Sequence, residues 1–528
     1  MSGFAQQDIQ ITMPAPSGAD RMSPHVRALL IVLLFLGALV ARLPGLNNLP
    51  GDFVTPREYH TAMLARAMYL QQDAPAPAWE KEIASAQLDV AIKAEPPILA
   101  GASSFAYQLL GREVLAVPRS ISITAWMFGG ILLFFLFRKL AGFETAFVGA
   151  ACFLFHPFGI GASRSLITDP LMIMGILASA RVIVWYYDRP SIARYWVSVL
   201  VSAMAIIIKP GGGQFCILAV FLFLSIHTFG LRGSLCRPGF YVYPIIALLP
   251  SAAYAFLGPM RSAAAPLFNS FFMPGLMLTP YFWKGWVHVL FRTLGPATLL
   301  LGATGLLLCG RGRLGVVVAS LAVGYLGECV LRTYTTASHD NWHLEALIVA
   351  ALGVGRIGAT VWSRLAGSDR ALERTAVVTV SAVWLIVVTT QYVHESLSRA
   401  SDDYPAIARQ IGETVRHSTR TVFLDYNYGW PLCYFASISG RFWPDSTDLW
   451  ADRVAGRSQI TAVERYERFY KHDDPEYFIV CRRLNELNAQ ADLKDFLARN
   501  ARLLAEHPRY IVYQFTNSLE SASRSAMP

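Results

Sequence analysis

Charge is scarce in this sequence. Only 15% of the 528 residues are Asp, Glu, Lys or Arg, against 54% hydrophobic residues, where a soluble protein carries about a quarter charged residues. That deficit excludes an ordinary soluble globular chain and points to an integral membrane protein. Cysteine is also thin. The seven residues are scattered singly, mostly inside apolar blocks, with no CxxC pair, so neither a disulfide framework nor a zinc site is indicated. Cys433 and Cys481 fall together in the C-terminal region, where pairing would need an oxidising compartment; two lone buried thiols are the commoner arrangement. A small-residue cleavage site after a short apolar region is also lacking, so the first hydrophobic block reads as a retained span. The net charge of +9 is the surplus that basic loops on one side of a membrane generate, and it gives no reason to invoke nucleic acid.

What the chain does have is long apolar runs, of the length a helix needs to cross about 30 Å of hydrocarbon. The first covers Val26 to Leu43, and others begin near Ser120, Phe143, Leu166, Tyr195, Gln214, Phe240, Trp286, Leu314, Leu344 and Thr375. The expectation is a mainly α-helical polytopic membrane protein with about 11 transmembrane helices. With a cytoplasmic N-terminus, the cytoplasmic turns carry Arg138 and Lys139, Arg189 and Arg194, Arg232 and Arg237, Arg311 and Arg313, and then Arg356, Arg364, Arg370 and Arg374. The opposite turns carry single cations, Arg164, Lys209 and Arg332. This is the positive-inside pattern, and an odd number of spans puts the C-terminus outside.

The domain reading follows. Residues 1–24 are polar, without apolar periodicity, and are expected to be disordered. Residues 25–392 form the membrane unit, whose first outer loop, 44–118, is structured. Residues 393–528 are a small α/β domain on the non-cytoplasmic face, with strand-like runs "TVFLDY", "EYFIVC" and "YIVYQF" between helical patterns "DDYPAIARQIGETVRH" and "ADLKDFLARNARLL".

The first loop opens with "GDFVTPREYHTAMLARAMYL", which sets Asp52, Arg57, Glu58 and His60 directly after a long apolar run. From Glu58 to Leu70, residues Tyr59, Ala62, Met63, Ala67 and Leu70 share one helical face, the pattern of a helix lying in the membrane interface. Three further segments carry ionisable groups at the outer ends of spans. "SRSLITDPLMIM" places Asp169 before Pro170, where it reads equally as a helix N-cap, with Arg164 on the same turn. "IIIKPGGGQF" places Lys209 before a glycine turn, either as a phosphate partner or as a snorkelling lysine. "YTTASHDNWHLEALIVAALGVG" holds His339, Asp340 and His343, spaced so that two imidazoles could share a metal on a helix, and Trp342, which reads as an interface anchor. In the tail, Asp425, Tyr426, Tyr428, Trp430 and Trp443 suit either a carbohydrate face or packing.

Several of these features recur in order. An acidic motif opens a long first outer loop, an interface helix carries Ala65-Arg66, and "EPP" at Glu95, Leu110-Gly111 and "RSIS" from Arg119 follow. Over roughly residues 26–360 this resembles the GT-C superfamily of glycosyltransferases, in particular the protein mannosyltransferase and lipid A aminoarabinose transferase branch. The family's acidic pair falls on Arg57 and Glu58, so the second position is kept and the first, the family's nominee for the catalytic base, is not. Glu58 or Asp52 is then left to take the role.

The resemblance implies inverting transfer of a sugar from a polyprenyl-phosphate carrier to a lipid, glycan or protein acceptor of the envelope. A single compact chain with a short cytoplasmic N-terminus suggests the bilayer of a bacterial inner membrane, and the odd span count then makes the C-terminal domain periplasmic. The catalytic candidates are Glu58, Asp169 and Asp52, and the candidates for the donor phosphate are Arg57, Lys209 and Arg164. The substrate-binding candidates are His339, His343, Glu95 and Tyr59. No metal-ligand set is assigned, and a divalent metal stays open. The alternative class, a transporter or flippase of lipid-linked precursors, would favour ionisable residues at mid-span, whereas these gather at the outer ends.

Overall fold

In the computed structural model, residues 23–72, 75–261, 272–365, 403–454 and 456–516 are described, with isolated positions between them. The expectations for residues 1–22 and for an eleventh span from Thr375 fall outside these segments.

Proline and glycine set the helix boundaries. The first helix, α1 (Pro24–Val40), has Pro24 in its first turn, and the Ser23 side chain accepts from the Val26 amide, a proline and a cap where each belongs. In the first loop α2 (Thr55–Gln71), α3 (Ala78–Val90) and α4 (Ile98–Leu110) follow, the last closed by left-handed Gly111. The helix α5 (Ala116–Ala141) turns at Gly142 into α6 (Phe143–Phe155), and Pro157 then breaks the run, so that α7 (Pro157–Arg164) leaves at 60°. Helices α8 (Asp169–Asp188), α9 (Ile192–Ile208), α10 (Gln214–Leu235) and α11 (Pro238–Phe256) complete one part of the bundle. The rest is α12 (Pro280–Leu307), kinked at Gly295-Pro296, α13 (Arg313–Leu331), the short α14 (Thr333–Ser338) and α15 (Leu344–Leu365).

Among the described residues seven helices are long and apolar enough to cross a membrane, counting Asp340–Leu365 as one, and the bent pair α6–α7 makes an eighth. α1 and α9 are apolar but have 17 residues each. Small residues let helices cross closely: a Cβ on Gly305 of α12 would sit 1.8 Å from the Gly353 carbonyl oxygen of α15. At one end of the bundle Lys139 and Arg313 both pair with Asp188. The first loop and the C-terminal unit cover the other end.

The C-terminal unit comprises α16 (Tyr404–Thr414), β1 (Thr421–Leu424), α17 (Trp430–Ala436), β2 (Gly440–Phe442), α18 (Ser446–Val454), α19 (Ala462–Phe469), β3 (Tyr477–Cys481), α20 (Leu484–Ala489), α21 (Ala491–Asn500), β4 (Ala501–His507) and β5 (Tyr510–Phe515). Its five-stranded sheet has the order β2-β1-β3-β5-β4, with β1 parallel to β2 and β3 and the other pairs antiparallel. The three strand-like runs became β1, β3 and β5. The pattern "ADLKDFLARNARLL" is helical only to Asn500; its last four residues start β4, which pairs with β5. Cys433 and Cys481 are both buried and free.

Strand alternation divides the core. Val422, Leu424, Phe478 and Val480 pack inside the C-terminal unit. Phe423, Ile479 and Cys481, on the opposite face, join one cluster with Tyr59, Ala62, Met63, Ala65, Tyr69 and Tyr107 of the first loop. This corrects the reading of α2 as a membrane-interface helix. Its apolar face is covered by protein, and positions expected to lie off that face are covered too: Arg66 stacks 3.6 Å over the Tyr434 ring and donates to the Tyr434 carbonyl, and His60 packs edge-on against Trp430.

Candidate active site

The bundle end beneath the C-terminal unit holds two groups of ionisable side chains. Both draw on the opening stretch of the first loop.

The first group orders that loop. Arg119, fully buried on α5, donates to the carbonyls of Leu46, Asn48 and Leu49 at 3.0, 2.5 and 3.1 Å and lies 3.3 Å from the Asp52 carboxylate. Arg164, also fully buried, lies 3.9 Å from Asp52. Glu58 accepts from the Phe53 amide at 2.8 Å, folding the loop onto the start of α2. Burial, and then the neighbouring Asp52 carboxylate, pushes the Glu58 carboxyl above its usual range, while Arg119 and the Phe53 and Gly51 amides pull it down. Of the expected catalytic set, Asp52 and Glu58 are therefore engaged in loop architecture, and Arg164 is set against Asp52.

The second group gathers Arg57, Glu95, Asp169, Lys209 and Asn341. Successive helix residues point about 100° apart, so Arg57 leaves α2 in a different direction from Glu58. It pairs with Glu95, at the turn before α4, and its charge is felt by Asp169 and Lys209. Asp169 is not a cap: Thr168 occupies that position, and the Asp169 Oδ1 instead accepts from Lys209 Nζ at 2.7 Å and Asn341 Nδ2 at 3.1 Å. Its Oδ2 is buried and has no hydrogen-bond partner among the described residues. Lys209 is buried on this carboxylate, the opposite of snorkelling.

Trp342 is not an interface anchor. Its ring lies against two cations, Lys209 Nζ at 3.9 Å and Arg332 Cζ at 3.8 Å from the centroid. The glycine turn after Lys209 spends its amides on a resident anion, since Glu328 of α13 accepts from Phe215 at 3.3 Å and also from Gly213. Sequence reasoning weighed "SHDNWH" through its histidines and aspartate, yet Asn341 and Trp342 are the residues that reach the Asp169–Lys209 pair.

The expectation of substrate contact for Tyr59 and His343 meets their burial. Tyr59 packs edge-on against Tyr434 and Phe435, and His343 is held between the Tyr325 hydroxyl at 2.7 Å and the Thr336 carbonyl at 3.0 Å. His339 bonds Ser338 Oγ and faces the Arg57 charge. Asp340 pairs with Arg292. These divergent commitments do not make a ligand set, and among the described residues no group of three His, Cys, Asp or Glu side chains could hold a metal ion. His60, which burial and Arg57 push down to about 3, is neutral. In the tail Trp443 is buried on Gln490, whereas Tyr426 and Tyr428 are exposed. A cavity of about 490 Å³ lies at the seam between first loop and C-terminal unit, lined by Arg66, Arg409, Glu413 and His417 among others. Arg66 is about two and a half helical turns along α2 from Arg57, so this cavity is separate from the Asp169 group.

No protein-family model matches the chain, and no curated protein matches it. Solved structures do. ArnT from Cupriavidus metallidurans in the apo state superposes with a TM-score of 0.57 at 14% identity, over 94% of this chain and 99% of that one. The same protein bound to undecaprenyl phosphate gives 0.53 at 13% identity, over 94% and 99%. The oligosaccharyltransferase of Archaeoglobus fulgidus, in complex with Zn and sulfate, gives 0.51 at 12% identity, over 92% of this chain and 72% of that one. Identities this low carry the fold alone, and over nearly its whole length this chain shares the fold of these proteins.

Proposed function

We propose that this protein is a multi-pass inner-membrane glycosyltransferase that moves a sugar from a polyprenyl-phosphate carrier to an acceptor of the cell envelope on the periplasmic face. The observation that carries this reading is the Asp169 carboxylate. One oxygen is fixed by Lys209 and Asn341 and the other is uncommitted, at the bundle end where Arg57, Glu95 and Arg332 also gather. ArnT, whose fold this chain shares, has been seen with undecaprenyl phosphate bound.

In this mechanism the acceptor hydroxyl approaches the anomeric carbon and gives its proton to Asp169 Oδ2. A positioned carboxylate doing this contributes about 10²- to 10⁴-fold to rate. The bond from the anomeric carbon to the phosphate oxygen breaks as the bond to the acceptor oxygen forms, with inversion at that carbon. Negative charge grows on the departing polyprenyl phosphate and is met by Arg57 and Lys209, where preorganised cations outperform water. Lys209 also holds Asp169 in place, so the two halves of the chemistry share one ion pair.

The test is mass spectrometry of envelope lipids, glycans and glycoproteins from cells lacking the protein, complemented with wild type or Asp169→Asn. A sugar-sized mass difference that returns only with wild type supports the reading and names both sugar and acceptor. No change in any envelope species would sink it in favour of transport.

A further inference from the structure

We infer that the bundle end opposite the Asp169 group holds a resident anionic phospholipid, with Arg194 and Arg237 on its headgroup phosphate and the exposed faces of α9 and α11 along its acyl chains. The sequence marked these arginines only as basic turn residues. The lipid is a component of the surrounding bilayer and takes no part in the proposed transfer, so the inference stands on the membrane fold and is independent of the reaction.

Two turns of the chain meet here. Arg194 lies in the first turn of α9, and Arg237 directly precedes α11. The Tyr195 hydroxyl donates to the Gly239 carbonyl at 2.9 Å and pins the two turns together. Each guanidinium rests on an aromatic ring, Arg194 Cζ 4.5 Å from the centre of Trp185 and Arg237 Cζ 3.7 Å from that of Phe229, contacts that order an arginine without spending its outward donors. The two rings adjoin through Tyr187 of α8, which packs against Phe229. Neither arginine has an acidic partner among the described residues. Arg194 donates to the Trp185 and Arg189 carbonyls at 3.4 and 3.2 Å. Asp188, the acid next to this turn, is already taken by Lys139 and Arg313. Arg189 and Arg232, both exposed, and the amino ends of α9 and α11 add to the same positive field.

From each arginine inward, the exposed side chains are apolar at helical spacing: Ile192, Trp196 and Leu200 along α9, and Tyr241, Ile245 and Leu249 along α11. The two helices lie side by side, with Ser202 Oγ 2.7 Å from the Tyr243 hydroxyl, which donates to the Ser198 carbonyl at 3.1 Å. Paired guanidinium donors match phosphate oxygens, and basic pockets between membrane helices bind phospholipid headgroups. A phosphodiester at the two arginines, with its acyl chains along the two stripes, satisfies both parts of the surface at once. The lack of an acid selects the headgroup: a zwitterionic lipid would bring its ammonium group against two guanidiniums.

Lipid retention decides this. The full-length chain is moved from nanodiscs of equal phosphatidylglycerol and phosphatidylethanolamine into mild detergent, and the lipid that stays bound is counted by native mass spectrometry. Wild type should keep phosphatidylglycerol at least tenfold over phosphatidylethanolamine, and excess inorganic phosphate should not displace it. Equal retention of the two lipids overturns the inference; displacement by inorganic phosphate overturns the lipid as occupant in favour of a free anion. Arg194→Met/Arg237→Met strands no acid and should bring the preference to within twofold of parity, whereas a preference left at its wild-type value overturns the site. Arg311→Met/Arg364→Met removes the same charge from other turns at this end and should leave the tenfold preference intact. An equal loss there means diffuse attraction to a positive surface and overturns a built site. Trp185→Leu/Phe229→Leu keeps every charge and removes both rings, and should cost at least threefold; no loss overturns the part given to the rings.

Discussion

Asp169 and Lys209 stand 40 residues apart in the chain and 2.7 Å apart in space, both closed off from solvent. A buried pair of this kind costs little while intact, but removing one partner strands the other, typically at about 3–5 kcal/mol. Asp169→Asn should therefore lower the melting temperature and cut sugar transfer by about 10²- to 10⁴-fold. Stability and chemistry separate in the double variant Asp169→Asn/Lys209→Met, where no charge is stranded. Most of the melting temperature should return, and turnover should not. Turnover close to wild type in that double variant would remove Asp169 from the mechanism.

The Arg57–Glu95 pair makes a second separation possible. Its side chains are 31% and 21% exposed, so water screens it and its share of folding stability is about 1 kcal/mol or less. Its importance lies in placing a cation near Asp169. Arg57→Glu sets a carboxylate against both Glu95 and Asp169 and should reduce transfer at least tenfold without a matching fall in melting temperature. Exchanging the two residues, Arg57→Glu with Glu95→Arg, rebuilds the pair but takes the cation from position 57, so transfer should stay at least tenfold down. If the exchange recovers most of the loss, the pairing is what matters and Arg57 does not itself meet the departing phosphate.

Much of this was legible from residues and some of it was not, for physical reasons. Apolar runs, basic turns and three strand patterns are local signals, and they marked the membrane helices and β1, β3 and β5. β2 and β4 escaped because they are defined by partners: β2 is three residues beside β1, and β4 continues a helical pattern without a break. The nature of α2 escaped for the same reason, since an apolar face reads alike whether lipid or a C-terminal domain covers it. At the site, the sequence marked Asp169, Lys209 and Arg57 by their positions at span ends. It could not show that Asp52 and Glu58 are engaged by Arg119 and by the Phe53 amide, or that Asn341 reaches Asp169 across 172 positions.

The seam between first loop and C-terminal unit yields a prediction about cooperativity. Gln87 of α3 is buried and donates through its one amide nitrogen to the carbonyls of Cys433 at 3.0 Å and Ile438 at 2.9 Å. Gln87→Leu leaves two buried acceptors without a donor, at about 1–3 kcal/mol each. Because the two segments share one core, the loss should not stay local. Hydrogen exchange should quicken in both α2 and β1, while α5 and α8 keep their protection. Quickening confined to α3 would mean the loop and the C-terminal unit open independently.

Asp425 supplies a pH signature outside the membrane helices. Its carboxyl is buried at the end of β1, accepts from the Tyr404 hydroxyl, and is pushed up to about 7 by burial, against the pull of Tyr404, the Tyr426 amide, Arg482 and Arg483. In the unfolded chain an aspartate titrates near about 4. Between these values the folded state holds a proton that the unfolded state has released. Stability contributed by this group is therefore full below about pH 4, falls as pH rises towards 7, and levels off above that, by up to about 4 kcal/mol in all. Asp425→Asn mimics the protonated form and keeps an acceptor for Tyr404. Relative to wild type, the Asn variant should gain melting temperature steadily from pH 5 to pH 8, with most of the change below pH 7. A difference that stays constant across that range would show that Asp425 is already ionised in the folded chain, held by Arg482 and Arg483 more strongly than burial opposes it.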